Sequence, residues 1–183
     1  MTDLPTGALK SWKGYTAEEP LRNGQTLRIR TLQESDREAI VEGIKRISTE
    51  SSYFRFMSVR RQLSDEEIHY LTDVDFIHHV VLVATLDVDG QDTPVGGGRY
   101  IISDLPEGRG AEVAFIIEDP YHGLGIGTHL FQHMKKLAKA SAVQFFFADV
   151  HEANKKMIDV FMHLDLPTTV HRDGSLLNIR MQI

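Results

Sequence analysis

Ala111-Glu-Val-Ala-Phe-Ile-Ile-Glu-Asp-Pro-Tyr-His-Gly-Leu-Gly-Ile-Gly-Thr-His-Leu130 decides how this chain folds, because a strand pattern there runs through a glycine-rich turn into a helix pattern. Residues 111–117 are apolar apart from Glu112, and from Ile126 onward the apolar residues recur at helical spacing. Between them, glycines at 123, 125 and 127 let the backbone come close to a ligand and turn its N–H groups inward. The helix that follows adds the positive end of its dipole. Such a junction predicts a site for an anionic, phosphate-bearing cofactor.

Working outward, Val80–Ala84 and Val95–Ile102 read as strands joined through Asp89-Gly90, and residues 111–117 complete an antiparallel meander. After the turn, Ile126, Leu130, Phe131, Met134, Leu137 and Ala138 form one helix face, and Gln144–Val150 reads as a buried strand. Residues 153–164 give another helix with Met157, Ile158, Phe161 and Leu164 on one side, and Leu176–Met181 alternates as a last strand. Upstream, Leu27–Arg30 alternates as a strand. Gln33-Glu-Ser-Asp36 supplies helix-start residues ahead of Ile40, Ile44 and Ile47, and Ser64-Asp-Glu-Glu67 has the pattern of a capping box for a short helix through Ile68 and Leu71. Residues 1–25 hold three Gly, two Pro and the only Trp without a sustained period, and read as an N-terminal arm anchored by Trp12. Residues 26–183 form the expected domain.

A chain of 183 residues, 42% hydrophobic, suits one globular domain with a full core. No run approaches the roughly 18 apolar residues of a membrane span, and Met1-Thr-Asp-Leu-Pro5 lacks the basic and apolar regions of a signal peptide, so a cytoplasmic protein with no membrane partner is expected. With no cysteine, an acyl group would be passed directly rather than through a thioester on the protein. The net charge of −6, without a long basic run, argues against nucleic acid as a partner. Any phosphates must then be held mainly by backbone amides.

Three phosphate-binding motifs compete for the turn. A P-loop needs Gly-Lys-Ser/Thr, and Gly127 is followed by Thr128 with no lysine. A dinucleotide fingerprint could use Asp149 as its acid, but Glu118-Asp-Pro-Tyr-His122 separates the strand from the first glycine, and the motif follows an antiparallel meander. The third is an acyl-CoA pyrophosphate site. Here the sequence resembles the GNAT acyltransferases, whose Gln/Arg-x-x-Gly-x-Gly/Ala signature is matched by His122-Gly-Leu-Gly125-Ile-Gly127, with His in the first place. Leu27-Arg-Ile-Arg-Thr-Leu-Gln-Glu-Ser-Asp36 is similar to that family's opening strand and helix, and Asn154-x-x-Met157 to the helix beside the cofactor. Ser52-Tyr-Phe-Arg-Phe56, Leu63-Ser-Asp-Glu-Glu67, Thr72-Asp-Val-Asp75 and Ala111-Glu-Val-Ala-Phe115 further resemble the Pat-type bacterial protein lysine acetyltransferases. The likeness covers roughly residues 27–181.

The resemblance implies an α/β GNAT fold: a central mixed, mostly antiparallel sheet flanked by helices, with strands 111–117 and 144–150 diverging around acyl-CoA. It implies acetyl-CoA as cosubstrate and a protein lysine as acceptor, an acyl-CoA synthetase being one such partner; the regulatory nucleotide-binding or synthetase domain that some relatives carry is not expected to fit in the remaining arm. It makes Glu112 the general base, and it assigns the cofactor to Phe115, Ile116 and Ile117 on the strand, to His122, Gly123, Leu124, Gly125, Ile126, Gly127 and Thr128 in the turn, and to Asn154 and Met157. On an otherwise apolar strand, Glu112 is expected to be a base of raised pKa. The family's tyrosine acid falls on Phe161, which has no proton to give and reads as core. His78, His79, His129 and His133 offer no evident three-ligand set, so no metal is expected. Lys155 or Lys156 could touch a CoA phosphate. Acetylation of a small amine, or a noncatalytic acyl-CoA sensor, would use the same residues.

Overall fold

The computed structural model describes residues 9–56 and 62–183; residues 1–8 of the expected arm lie outside them. Eight strands make one sheet: β1 Thr16–Pro20, β2 Thr26–Thr31, β3 His79–Val88, β4 Gln91–Leu105, β5 Gly108–Ile117, β6 Phe145–His151, β7 Thr168–Asp173 and β8 Leu176–Gln182, in the order β1-β2-β3-β4-β5-β6-β8-β7. Among the described residues only β5 and β6 run parallel, because the helix α4 (Ile126–Ala140) carries the chain across between them. The remaining helices are α1 (Asp36–Arg46), α2 (Thr49–Phe56), α3 (Asp65–Thr72) and α5 (Lys155–Met162). This is the mixed, mostly antiparallel α/β architecture that the sequence predicts.

Local chemistry explains most elements. Asp89 and Gly90 both take positive φ, 54° and 79°, as the tight β3–β4 turn requires. Ser64 and Glu67 form the complete capping box of α3. The whole predicted face of α4 is buried, and Phe131 at its centre meets Phe115, Phe146 and Phe161 at ring separations of 6.1, 5.4 and 6.1 Å. At the start of α1, Ser35 makes no side-chain cap; Asp36 instead accepts from the Gln33 N–H and takes a two-pronged ion pair from Arg30 at 2.7 and 2.8 Å. That buried pair fastens β2 to α1.

Three elements depart from the sequence reading. The stretch read as an arm contributes β1, which pairs with β2 across the expected domain boundary. Its Thr-Ala-Glu-Glu-Pro sequence buries little, since an edge strand needs only one partner. For the same reason β7, exposed along nearly its whole length, carries no apolar alternation. The serine-rich α2 has weak intrinsic helix propensity, and tertiary hydrogen bonds hold it: Asp119 accepts from the Ser48 N–H at 2.9 Å and from the Ser48 and Ser51 hydroxyls at 2.8 and 3.0 Å. The expected helix over 153–164 is shorter, and Ile47 lies just past α1.

Candidate active site

The two sides of β5 are unequal. Toward β4 it is paired from end to end, over ten residues, whereas toward β6 it pairs only at Gly110–Phe145, Ala111–Phe146 and Glu112–Phe147. β6 continues along β8 for its whole length. Beyond Glu112 the outer edge of β5, residues 113–117, therefore faces no strand, and its backbone groups are open to an extended ligand. Phe115 turns its ring into the core, Ile116 turns to the opposite face, and the Ile117 carbonyl accepts from His122 Nε2 at 2.9 Å.

β5 leads through a 3-10 turn, Asp119–Tyr121, into the glycine segment. Gly123 and Gly125 adopt φ of 79° and 90°, and a Cβ there would meet nothing nearer than His129 Cδ2 at 4.0 Å. These glycines are required by backbone conformation, not by crowding. None of the six N–H groups from Gly123 to Thr128 has a hydrogen-bond partner among the described residues. They form an amide cradle at the start of a fifteen-residue helix, which is chemistry suited to a pyrophosphate. Gly127 differs: its φ is not positive, and a Cβ there would make an ordinary van der Waals contact with Val160 Cγ2 of α5 at 3.8 Å.

His122 does not point freely at this cradle. Its Nε2–H donates to the Ile117 carbonyl, and its Nδ1 lies 3.1 Å from Lys156 Nζ and accepts from it, an arrangement that a neutral imidazole satisfies. His122 thus forms a strand-end clasp that brings Lys156 beside the turn. Asn154 caps α5 by accepting from the Met157 N–H at 3.2 Å, and Met157 packs against the core. Phe161 is buried.

Glu112 sits at the fork where β5 and β6 part, and it is exposed; the apolar enclosure expected from sequence is absent. It lies opposite Ile101 on β4, next to the Arg99–Ala114 pair, so Arg99 shares its face of the sheet. Arg55 of α2 reaches the same place. Burial, and then the charge of Arg99, push the Arg55 guanidinium down to about 10, against the opposing pull of Glu112 and Tyr70. His79 is also on this face, its ring 5.7 Å from Tyr70, with burial and then Arg99 lowering its pKa. His151, at the end of β6, meets the Tyr53 ring of α2 edge-on at 5.6 Å and the tilted Phe54 ring at 5.9 Å. Sequence reading passed over Arg99, Arg55 and His151 as site residues because nothing in their spacing links them, although Arg55 lay within a stretch that carries the family resemblance and Arg99 within a predicted strand.

The rejected readings also find their place. Asp149 hydrogen-bonds Asn178, and His133 binds the Tyr15 hydroxyl at 2.6 Å and Glu19 at 3.0 Å, tying α4 to β1. Among the described residues no group of three or more His, Asp or Glu side chains could hold a metal, and no helix is long and apolar enough to cross a membrane.

A sequence profile of the acetyltransferase (GNAT) family matches residues 43–165. Acetyltransferase PA5475 of Pseudomonas aeruginosa is 32% identical over 142 residues, 78% of this chain and 75% of that protein. Acetyltransferase Pat of Mycolicibacterium smegmatis is 33% identical over 137 residues, 75% of this chain but only 40% of that longer protein. The crystal structure of the GNAT domain of S. lividans PAT superposes with a TM-score of 0.82 at 29% identity, covering 92% of this chain and 97% of that one. With an open-edged β5 running into an amide cradle and a family match over most of its length, this chain belongs to the GNAT acetyltransferase family.

Proposed function

We propose that this protein transfers an acetyl group from acetyl-CoA directly to the side-chain amine of a protein lysine. The observation that carries the reading is the continuity of the open β5 edge with the six free amides: an extended arm can pair along residues 113–117 while its pyrophosphate rests on Gly123 to Thr128. Lys156, held at His122, adds a cation beside the turn. Bound acetyl-CoA would supply an electrophilic thioester carbonyl and a thiol leaving group.

A lysine amine, with an ordinary pKa near 10.4, costs on the order of 4 to 5 kcal/mol to deprotonate at pH 7. Glu112, at the fork, takes that proton, directly or through a water, as the new C–N bond forms and the C–S bond breaks. The thiol, with an ordinary pKa of about 8.5, can depart as thiolate, so the missing proton on Phe161 is no obstacle. The likeness to Pat proteins supports a protein acceptor, an acyl-CoA synthetase among the candidates, and a cytoplasmic setting fits a chain without cysteine. The test is turnover of acetyl-CoA against a panel of proteins and small amines. Acetyl-lysine in a protein supports the proposal; transfer to small amines alone, or CoA binding with no transfer, replaces it.

A further inference from the structure

Between α1 and the sheet lies a cavity of about 110 Å³, walled by Ile40, Ile44, Val81, Val83, Ala114 and Ile116. It has room for several waters, yet its walls offer them almost no partners. Its floor includes Gly97. Gly98 next to it faces Phe115 and Met134 on the α4 side, so a side chain at 97 would project into the cavity.

One end is charged. Arg55 and Arg99 both line the cavity, and neither makes an ion pair or a conventional hydrogen bond among the described residues. Arg99 Nη1 is buried without a partner; the guanidinium carbon of Arg99 lies 5.0 Å from the Tyr70 ring, and that of Arg55 5.1 Å from the Phe56 ring. The acid at the far end, Glu118, is already bound to Arg46 at 2.6 Å; Glu112, whose charge acts on Arg55, is exposed and is not part of the cavity lining. Two half-buried guanidiniums side by side repel each other and lose hydration, a cost that an anion between them would offset. A phosphate would find no further donors on these walls, whereas two guanidiniums match the two oxygens of a carboxylate.

We infer that this cavity is a subsite for a short aliphatic chain ending in a carboxylate, the chain against the apolar wall and the carboxylate between Arg55 and Arg99. One source is the acyl group of a dicarboxylic CoA thioester; this source rests on the reading that acyl-CoA lies along β5, since Ala114 and Ile116 belong both to that edge and to the cavity wall. Transfer would then be the same displacement, with one C–N bond made, one C–S bond broken and the distal carboxylate unreacted. The other source is a free or acceptor-borne carboxylate.

The test is calorimetry on the full chain with CoA, butyryl-CoA and succinyl-CoA, and separately with butyrate and succinate. Succinyl-CoA should bind at least tenfold more tightly than butyryl-CoA, and Arg99→Gln and Arg55→Gln should each reduce that ratio about tenfold, with Arg99→Lys reducing it less. The two arginines lie on different elements, so a folding defect in one variant, read by circular dichroism, leaves the other informative. If succinate is preferred over butyrate but the thioesters are not distinguished, the carboxylate comes from the free or acceptor-borne source. If CoA binds and neither pair is distinguished, the subsite is refuted while the proposed function stands; if CoA itself fails to bind, it is the proposed function that falls.

Discussion

The first half of β5 is a closed strand and the second half an open one. From Gly110 to Glu112 it is gripped by neighbours on both sides, so tightly that a Cβ on Gly110 would come 2.4 Å from the Phe145 ring. Past Glu112 the same strand keeps one neighbour, and the turn beyond it leaves space around Gly123 and Gly125. The contrast teaches that a single strand can serve as both scaffold and binding surface, with the candidate base at the change-over.

The sharpest way to break this comparison is at the change-over itself. Glu112→Gln keeps shape but cannot take a proton, so kcat should fall by about two to four orders of magnitude while acetyl-CoA affinity stays within about threefold. Steady-state rates and calorimetry check both, and undiminished transfer would remove the base. At the open end, Gly125→Glu places bulk and negative charge on the amide cradle and should weaken CoA binding by at least about 100-fold. Its φ of 90° adds roughly 1 to 2 kcal/mol of backbone strain, seen as a lower Tm in an otherwise folded protein.

The closed end should respond in stability rather than in binding. Gly110→Val must displace the Phe145 ring, which is buried and covered by the Arg180 guanidinium 3.5 Å away, so a loss of about 1 to 3 kcal/mol in urea unfolding is expected. CoA affinity in that variant measures how far the two halves are independent.

A pH test addresses the tether between the open end and α2. Burial would raise the Asp119 carboxyl, but the hydrogen bonds from Ser48 and Ser51 outweigh it and hold its folded pKa below the ordinary value. Its contribution is therefore complete above the ordinary carboxylate range and is lost as pH falls through the lowered folded value. Asp119→Asn should flatten part of the acid limb of a stability–pH curve. Part of the limb should survive in that variant, since Asp75, held down to about 2 by N–H groups of residues 77–79 and the His78 ring against the effect of burial, is lost in the same direction. The smallest effect is expected for His122→Gln. An amide can still donate to the Ile117 carbonyl, so CoA affinity should change less than tenfold; a larger loss would give the imidazole a direct part in binding.

What could be read from sequence follows the same division. The glycine turn, the α4 face and the Ser64 capping box were legible because each is a local pattern whose residues answer to one another within a few positions. β1 and β7 were not, because edge strands with polar sequences satisfy half their backbone with solvent and need no apolar rhythm. α2 was invisible for another reason: its anchor, Asp119, lies 71 residues from Ser48. Arg55 and Arg99 meet only after α2 folds onto the sheet, so their pairing has no sequence signature. His122 was legible in position but not in role, since the carbonyl it binds becomes available only where β5 loses its second neighbour.

Trp12, the chain's only tryptophan, donates its indole N–H to Ser141 at 3.2 Å, at the far end of α4 from Gly125. A fifteen-residue helix spans about 22 Å, so the one tryptophan is remote from the amide cradle. Its emission should report docking of the N-terminal segment onto the helix end and stay nearly silent as nucleotide cofactor is added. Following ligand binding by tryptophan emission therefore calls for a tryptophan placed near the turn, whereas unfolding can be followed with no label at all.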